Sequence, residues 1–405
     1  MQLPRTILQW GTGRFLRAFV DLFAHELNAS GRPIGGVVAV QSTGSERAGW
    51  LRESREGYPV LLRGLNKGRL VSETVRVESV VESWSARHDW TDVLSAAVSS
   101  DLTTIVSNGT EAAYAVDEPE RVCLLDVSSA ALTADRSPKT LPGKMAAVLF
   151  ARYKNDQAMP LILPCELLDD NALRLRRLTL ESADFSGGSS DFLDWLGTSS
   201  AWRSTLVDRI VSQPTEDDLS ALRYSDAERW SESALELAAA AEPFALWLIE
   251  RSDSLSSHDS TEHDTMLAAW AEHPSVQQVD SLASFALRKV RILNGAHTAL
   301  VAFAMPRGCE TVRQAIETPE VRDWLEQLLF EEILPVLGDR VEGAEAFAQD
   351  MLERFRNPFL DHRLQDIALH HDEKLRMRLL PTLRESQKLF HVETPLLSEL
   401  LSELF

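Results

Sequence analysis

The first forty residues alternate between strand-like and helical patterns around a glycine turn. Residues 6–10 (TILQW) have the apolar character of a short buried strand, and Gly11-Thr-Gly13 follows directly. Residues 15–28 then place apolar side chains at helical spacing, and residues 36–42 form a second β-rich run. Four side chains are expected on one face of the helix: Phe15, Phe19, Leu22 and Phe23. The order strand, glycine turn, helix, strand predicts an α/β fold with a doubly wound, Rossmann-type parallel sheet.

The pattern of apolar residues divides the rest of the chain into a part with further strands and a mostly helical part. Residues 102–106 and 160–164 resemble two further strands, and each ends in a polar turn. Helical patterns dominate from about Ala227 onward. A chain of 405 residues is also too long for one typical hydrophobic core. We therefore expect a Rossmann-type domain over residues 1–278 and a mostly α-helical C-terminal domain over residues 279–405.

Charge and cysteine content exclude several classes of function. The net charge of −20 opposes binding to a phosphate backbone, so we expect no nucleic-acid partner. No apolar run is long enough to span a membrane, and the first residues lack an apolar signal core. The three cysteines, Cys123, Cys165 and Cys309, are too sparse for a disulfide framework. These features predict a cytoplasmic protein, and its oligomeric state stays open.

A nicotinamide dinucleotide is the expected ligand at the carboxyl ends of the strands. The glycine turn lets the backbone approach a pyrophosphate, and the following helix N-terminus favours its negative charge. Leu16 stands where a third Rossmann glycine would be, so a simple tight turn is the alternative. The residues expected to contact the cofactor come from this turn, the end of the second strand and the turn after residues 102–106. They are Gly11, Gly13, Arg14, Phe15, Gln41, Asn108 and Thr110.

The end of the second strand leaves the choice between NAD and NADP open. NAD-binding Rossmann domains commonly place Asp or Glu there to hold the ribose hydroxyls. This strand instead ends in Gln41-Ser-Thr-Gly44, and Arg47 follows closely. An arginine at this position can hold the 2′-phosphate of NADP. The alternative is that Arg47 is a surface residue of the next helix.

The segment Lys289-x4-Asn294-x2-His297 carries the groups that hydride transfer requires. Oxidation of an alcohol needs a base for the hydroxyl proton, and reduction of a carbonyl needs donors that polarise it. On an α-helix, Asn294 lies about 140° and His297 about 80° from Lys289, a wide spread for one face. These three groups need no metal, and His258 and His263 lack a recognised ligand pattern, so we expect no metal. The alternative is a polar helix face with an isolated histidine.

Several segments resemble the mannitol dehydrogenase family of polyol-specific long-chain dehydrogenases. KVRILNGAHTAL resembles the K-x4-N-x2-H signature of that family. Six further segments resemble its tagaturonate reductase branch more closely. They are residues 7–21, 60–68, 106–112, 162–171, 205–211 and 354–369. The matches therefore run from the first strand nearly to the C-terminus.

The resemblance implies an NAD(H)-dependent dehydrogenase with its active site in the cleft between two domains. It implies Lys289 as the general acid and base, and desolvation should lower the pKa of this lysine from about 10.4. It implies that Asn294 and His297 polarise the substrate carbonyl. The expected reaction interconverts a keto-hexuronate such as tagaturonate and an aldonate such as altronate. Fructuronate/mannonate or a mannitol-type polyol is the alternative substrate, and a nicotinamide-binding sensor without catalysis is the alternative of another class.

Further residues are candidates for substrate contacts. Asn171 lies in the family's asparagine–glycine turn, although alanine replaces the glycine here. Asp208 matches an acid that the family places at the site, and its alternative role is to pair with the arginine that follows it. Residues 354–378 are unusually basic, which suits recognition of a substrate carboxylate. From this segment we expect at least one of three residues to reach that carboxylate: Arg356, His362 or Lys374. The alternative is that these are surface helix charges.

Overall fold

The computed structural model describes residues 3–114, 119–122, 124, 137–224, 229–251, 262–359, 362–390 and 392–402. The chain divides into two compact units. The first contains Met1–Leu62 and Glu73–Leu282, and the second contains Arg63–Ser72 and Ala283–Phe405. The predicted boundary between residues 278 and 279 is close to the point where the chain leaves the first unit, after Leu282.

A five-stranded parallel sheet forms the centre of the first unit. The strands in the described part of the chain are β1 (Arg5–Trp10), β2 (Gly36–Gln41), β3 (Tyr58–Asn66), β4 (Arg69–Val77), β5 (Val80–Ser85), β6 (Thr104–Ser107), β7 (Leu161–Pro164), β8 (Thr205–Asp208), β9 (Val211–Ser212), β10 (Ala239–Ala241), β11 (Leu246–Glu250) and β12 (Val276–Val279). The parallel sheet has the order β5-β2-β1-β6-β7. Two smaller sheets have the orders β4-β3-β10-β9 and β12-β11-β8.

Helices cover both faces of the parallel sheet. They are α1 (Arg14–Arg17), α2 (Val20–Ala29), α3 (Glu46–Glu53), α4 (Trp90–Ala97), α5 (Leu141–Lys154), α6 (Asn171–Phe185), α7 (Ser190–Leu196), α8 (Glu216–Arg223), α9 (Glu232–Glu236) and α10 (Glu262–Ala271). Leu8 and Trp10 of β1 enter one hydrophobic core with side chains of α4, α5 and α6, whereas Ile7 enters a second core with Phe23 of α2. Burial on both faces explains why these strands read as continuous apolar runs. The predicted α/β fold is confirmed, and the four strands predicted around this sheet are present.

The predicted helix over residues 15–28 is two helices, α1 and α2. The break falls at Phe19, whose backbone has φ −132° and ψ −87°. The buried guanidinium of Arg209 donates from Nη1 to the Ala18 carbonyl at 2.9 Å, so this oxygen is satisfied at the break. Phe19 still stacks between Phe15 and Phe23, with ring centroids 4.8 and 4.6 Å apart. One continuous helix was therefore the wrong prediction, because a donor distant in sequence stabilises the break.

The prediction that helices dominate from Ala227 is wrong up to residue 279. Strands β10, β11 and β12 lie in this stretch. β10 pairs in parallel with β3, and β11 pairs with β8 in antiparallel and β12 in parallel orientation. These runs of three to five residues are too short for periodicity to distinguish strand from helix. Strand partners elsewhere in the chain determine their conformation.

The second unit is mostly helical in its described residues. Its α-helices are α11 (Ala283–Arg288), α12 (Gly295–Ala304), α13 (Val312–Glu317), α14 (Pro319–Gln327), α15 (Leu334–Leu337), α16 (Ala344–Phe355), α17 (Leu364–Ile367), α18 (His371–Arg378), α19 (Leu380–Glu385) and α20 (Pro395–Leu400). Three further segments are π-helical: Lys289–Asn294, Leu328–Ile333 and Ser386–Phe390. The core packs Leu300 of α12 with side chains that include Leu325 and Met351. Among the described helices of both units, none is long and apolar enough to cross a membrane.

Candidate active site

The three predicted catalytic residues lie along one continuous helical segment of the second unit. Lys289 begins the π-helical segment, Asn294 ends it, and α12 continues from Gly295 through His297. The backbone hydrogen bonds of a π-helix join residues five apart, so residue i+5 lies about one turn above residue i. Asn294 therefore stacks above Lys289, and His297, three residues further along an α-helix, extends the same row. We call these three residues the Lys-Asn-His row. The wide angular spread expected for an α-helix was wrong, because the segment is wound differently.

An ion pair between a buried arginine and a half-buried glutamate anchors the π-helical segment. Arg291 is 7% exposed and donates to Thr382 Oγ1 at 2.7 Å and to Glu385 Oε1 at 2.9 Å, both in α19. Burial alone would raise the pKa of Glu385, but hydrogen bonds and charges from Arg340 and Arg291 outweigh burial and lower it. Glu385 therefore stays ionised at neutral pH and holds the segment that carries Lys289.

His297 is a neutral imidazole, and one of its ring nitrogens has no hydrogen-bond partner among the described residues. Its ring packs against Phe355 at a centroid distance of 4.5 Å and meets His362 edge-on at 5.0 Å. Burial, and then the charges of His362 and Arg354, lower the pKa of His297 well below 6.5, despite a hydrogen bond to the Leu293 carbonyl. That bond uses one ring N–H, and Nε2 is buried with no hydrogen-bond partner in the described part of the chain. Nε2 is therefore an acceptor at neutral pH.

Positive charge is concentrated around His297, although the chain as a whole is acidic. Arg354 is 5% exposed, Arg378 is half-buried, and both charges contribute to the lowered pKa of His297. Burial, and then the charge of Arg378, lower the pKa of Lys374. Neither Arg378 nor Lys374 forms an ion pair with a carboxylate among the described residues. Cations placed in this way can neutralise an anionic ligand.

A hydroxyl connects one of these cations to the Lys-Asn-His row. Arg378 donates from Nη1 to Thr298 Oγ1 at 3.1 Å, and Thr298 Oγ1 donates to the Asn294 carbonyl at 2.9 Å. Thr298 is fully buried. The position of Arg378 is thus fixed relative to the residue that ends the π-helical segment.

The three residues predicted to bind a carboxylate have different surroundings. His362 contacts the His297 ring. Lys374 is half-buried and donates from Nζ to the Ile367 carbonyl at 2.7 Å. Arg356 is exposed, and its Nη2 lies 3.9 Å from Oε1 of Glu326. The structure therefore brings His362 to the row and gives Arg356 no contact there.

Sequence reasoning missed Arg354 as a neighbour of the row. Arg354 lies three residues after Met351 and seven after Phe347, so it shares their buried face of α16. Helical spacing therefore contained the signal, since Arg356 falls outside that pattern. The role of this segment in binding a carboxylate stays a prediction, and the choice of arginine within it depends on which face the core covers.

In the first unit, two turns meet at the carboxyl ends of neighbouring parallel strands. Gly11 follows β1, and Asn108 follows β6. β1 lies between β2 and β6, which places these turns at the topological switch point where such sheets bind ligands. Gly11 has φ +128°, and a Cβ there would lie 2.9 Å from Leu16 Cδ1. A Cβ on Gly13 would meet no atom within 4 Å, so open space faces the start of α1. This geometry fits a dinucleotide pyrophosphate.

Two arginines lie beside this glycine turn. Arg14 is exposed and donates from Nη2 to Gln213 Oε1 at 3.3 Å. Burial, and then the charge of Arg47, lower the pKa of Arg14, so the two guanidinium groups are close enough to repel each other. Arg47 is exposed on α3. Both arginines are available to a phosphate, and their roles stay predictions.

The other predicted cofactor residues are placed differently around the turns. The amide of Gln41 donates to the Thr43 carbonyl at 2.8 Å and accepts from the Ala48 N–H at 3.0 Å, so it orders the end of β2. Phe15 stacks on Phe19 at a ring-centroid distance of 4.8 Å, and Thr110 is exposed. In this structure Gln41 therefore stabilises the loop between β2 and α3. Direct contact between any of these residues and a cofactor stays a prediction.

Asn171 is used within the first unit. It is fully buried, and its Nδ2 lies within 3.1 Å of the carbonyl oxygens of Pro164, Glu166 and Thr205. Its Oδ1 accepts from the Thr205 N–H at 3.1 Å. The amide thus bridges β7 and β8, and this geometry does not support the predicted contact between Asn171 and substrate. Asp208, at the end of β8, is 6% exposed, and its substrate role stays a prediction.

No cluster of three or more potential metal ligands occurs among the residues that the structure describes. His263 is buried and bonds through its ring nitrogens to Ser200 Oγ and the Met159 carbonyl. His258 and Cys123 lie outside the described residues. Cys165 is fully buried, and burial raises the pKa of its thiol, which makes it a poor nucleophile.

The chain has the arrangement of a long-chain dehydrogenase. A parallel sheet of the dinucleotide-binding type comes first, and a helical unit that carries the Lys-Asn-His row follows it. The mannitol dehydrogenase Rossmann domain family matches residues 5–261. The mannitol dehydrogenase C-terminal domain family matches residues 281–401. The chain belongs to the mannitol dehydrogenase family, and the resemblance inferred from its motifs is confirmed.

Within this family, the chain is similar to proteins named altronate oxidoreductase. It is 36% identical to that of Bacillus subtilis (strain 168) over 392 residues, which cover 95% of this chain and 75% of the relative. It is 33% identical to that of Klebsiella pneumoniae subsp. pneumoniae over 408 residues, which cover 100% of this chain and 80% of the relative.

Two solved structures share the fold over nearly the whole chain. One is D-sorbitol dehydrogenase in substrate-free form, with a TM-score of 0.77, 20% identity and coverage of 98% of this chain and 81% of that one. The other is Pseudomonas fluorescens mannitol 2-dehydrogenase in a ternary complex with NAD and D-mannitol. Its TM-score is 0.71 at 19% identity, with coverage of 98% of this chain and 78% of that one.

Proposed function

We propose that this chain is an NAD(H)-dependent oxidoreductase that interconverts a keto-hexuronate and an aldonate, of the tagaturonate/altronate type. The observation that carries the proposal is the set of half-buried cations beside the Lys-Asn-His row. Family membership supports the nicotinamide-dependent dehydrogenase class. The relatives named altronate oxidoreductase support the choice of a sugar acid as substrate.

The Lys-Asn-His row supplies the proton chemistry of this reaction. NADH provides a hydride to the carbonyl carbon when it is bound. As the carbonyl oxygen gains the electron pair, the Lys289 ammonium donates a proton to it, and the sugar acid leaves as an alcohol. In the oxidation direction the Lys289 amine takes that proton back. The Asn294 amide donates a hydrogen bond to the same oxygen, which stabilises the charge that develops there.

His297 takes a different role from the one implied by the family resemblance. A neutral imidazole whose N–H is bonded to the Leu293 carbonyl presents only a lone pair at Nε2. Such a nitrogen cannot donate to a carbonyl oxygen. We therefore assign His297 as the acceptor for a substrate hydroxyl, which orients the sugar chain next to Lys289.

The substrate carboxylate is proposed to bind at Arg378 and Lys374, and His362, which contacts the His297 ring, is a further candidate. Both cations are half-buried, and no carboxylate in the described part of the chain neutralises either of them. In a protein with a net charge of −20, such a local positive site favours an anion over a neutral ketose. A uronate provides the carboxylate, whereas fructose and mannitol do not.

Turnover of purified protein on a panel of sugars tests the reaction. With NADH, a keto-hexuronate should be reduced with a kcat/KM at least about tenfold above that for fructose, because hydrogen bonds to charged groups contribute about 1.5–3 kcal/mol. Equal kcat/KM values for the keto-hexuronate and fructose would refute the proposed carboxylate site. If NADH binds, as measured by fluorescence, and no member of the panel is reduced, the protein is a sensor rather than an enzyme.

The variant Lys289→Met tests the proton transfer. Loss of general acid–base assistance should lower kcat by about 10²–10⁴-fold at saturating substrate and leave the Kd for NADH nearly unchanged. Lys388→Met, at an exposed position, makes the same chemical change away from the row and should retain full turnover. A Lys289→Met enzyme that keeps more than about a tenth of normal turnover at several pH values would contradict the assignment.

A further inference from the structure

One buried carboxylate holds the second turn at the switch point of the sheet. Glu166 is 3% exposed and follows β7. Its Oε2 accepts from Ser107 Oγ at 3.1 Å, and its Oε1 accepts from the Gly109 N–H at 2.8 Å. Asn108 adds a third bond, from Nδ2 to the Cys165 carbonyl at 2.7 Å. Three hydrogen bonds therefore tie the turn after β6 to the end of β7.

This turn also contacts the glycine turn after β1. A Cβ on Gly11 would lie 3.4 Å from the Asn108 carbonyl oxygen, so the two backbones approach closely. Together the two turns form the carboxyl-end surface of the sheet where a dinucleotide is expected. The conformation of residues 108–110 therefore affects the shape of that surface directly.

Glu166 has no role in the proposed proton chemistry. It lies outside the Lys-Asn-His row, and among the described residues it forms no ion pair with a cation. Burial raises its pKa, although the hydrogen bonds from Gly109 and Ser107 act in the opposite direction. Burying a carboxylate without a cation costs stability. An apolar side chain would avoid that cost but would leave the Gly109 N–H without its acceptor.

We propose that Glu166 is a positioning residue for the nicotinamide cofactor, because it holds residues 108–110 in the conformation that binds the dinucleotide. The proposal rests on the NAD(H)-dependent function proposed above. Without Glu166, the turn samples other conformations, and the apparent affinity falls by the fraction of time spent in the binding-competent one. Glu166 itself makes no contact with substrate in this scheme.

Three substitutions distinguish the effect of the length of the Glu166 side chain from the effect of its charge. Glu166→Ala removes both acceptor atoms and should raise the Kd for NADH about tenfold, if the turn is competent about a tenth of the time. Glu166→Gln keeps an oxygen for the Gly109 N–H, and its amide can donate to the Ser107 hydroxyl, so its Kd should stay within about twofold. Glu166→Asp keeps the charge but is one methylene shorter, so it cannot reach both donors and should raise the Kd at least about threefold.

A buried glutamate in the second unit provides the matched control. Glu332 is also 3% exposed and accepts backbone N–H bonds from Leu396 and Leu397 at 2.8 and 2.9 Å. Burial raises the pKa of Glu332 as well. Glu332→Ala should lower Tm and leave the Kd for NADH unchanged. A purely structural role for Glu166 would give the same result in Glu166→Ala.

The measurements are the Kd and KM for NADH, kcat at saturating NADH and substrate, and Tm, all on the full chain. The expected result is a raised Kd and KM in Glu166→Ala and Glu166→Asp, with kcat within about twofold of wild type. If Glu166→Ala fails to fold, the test is whether the Kd for NADH is higher in Glu166→Asp than in Glu166→Gln. Equal NADH affinity in all folded variants, or a weaker Glu166→Gln than Glu166→Asp, would overturn the inference. A wild-type chain that does not bind NADH would instead refute the proposed function.

Discussion

Asp21 gives the fold a stability that depends on pH in a defined direction. This carboxyl is fully buried in α2, and burial raises its pKa from 3.8 to about 7. The hydrogen bond from Tyr58, the nearby amide of Gln9 and the charge of Arg17 oppose that rise without cancelling it. The Tyr58 hydroxyl donates to Asp21 Oδ2 at 2.8 Å, whereas Oδ1 lacks a partner among the described residues.

The sign follows from comparing proton binding in the two states. Between about pH 4 and pH 7 the folded chain holds a proton on Asp21 that the unfolded chain has released. The free energy of unfolding therefore falls as pH rises through this window, and the full penalty is present above about pH 7. The difference between 3.8 and about 7 corresponds to about 4 kcal/mol, at about 1.4 kcal/mol for each unit of pKa.

Asp21→Asn removes the charge but keeps an oxygen acceptor for Tyr58. At pH 4 the variant and the wild type should have nearly equal free energies of unfolding, because the wild-type carboxyl is then protonated in the folded state. At pH 8 the variant should be more stable, by as much as about 4 kcal/mol. Urea denaturation of both proteins between pH 4 and pH 8 measures this difference.

Asp101→Asn, which makes the same chemical change at an exposed position of the same unit, is the control. The reasoning fails if the stability difference between Asp21→Asn and wild type is the same at pH 4 and pH 8, or if the variant is the less stable protein at pH 8.

Two further predictions concern the cofactor and the buried amide of the first unit. We expect a higher kcat/KM with NADH than with NADPH, and Arg47→Ala should weaken only NADPH; steady-state rates that favour NADPH in the wild type would overturn this preference. Asn171→Ala should lower the free energy of unfolding by about 1–3 kcal/mol, because it leaves buried backbone groups without partners. The variant should leave the KM for the sugar acid unchanged. A raised KM with an unchanged free energy of unfolding would instead support the substrate contact predicted for Asn171.

The central sheet could be predicted from the sequence because its signals are local. Runs such as residues 6–10 and 160–164 are apolar throughout, which is the pattern of parallel strands covered on both faces. The glycine turn between the first strand and its helix has a local cause as well, since Gly11 adopts a positive φ and lies close to Leu16. Short-range pattern was therefore sufficient for the fold class and for the position of the glycine turn at the carboxyl end of the first strand.

The segment that carries the Lys-Asn-His row could be predicted in composition but not in geometry. The spacing of Lys289, Asn294 and His297 is visible in the sequence, yet on an α-helix it does not align these residues. The π-helical winding aligns them, and an ion pair from Arg291 to Glu385, 94 residues away, holds that segment in place. The protonation of His297 likewise depends on burial and on the charges of Arg354 and Arg378, which lie in other helices.

Sequence by itself therefore determined the central sheet, the glycine turn and the chemical groups of the candidate site, because hydrophobic periodicity and glycine turns act over a few residues. Tertiary structure alone decided how those groups are placed. It placed Arg354 on the buried face and Arg356 in solvent, broke the first helix at Phe19 through Arg209, and enclosed Asn171 between two strands. Each outcome depends on burial or on a hydrogen-bond partner distant along the chain, and both are properties of the packed structure that a local pattern does not contain.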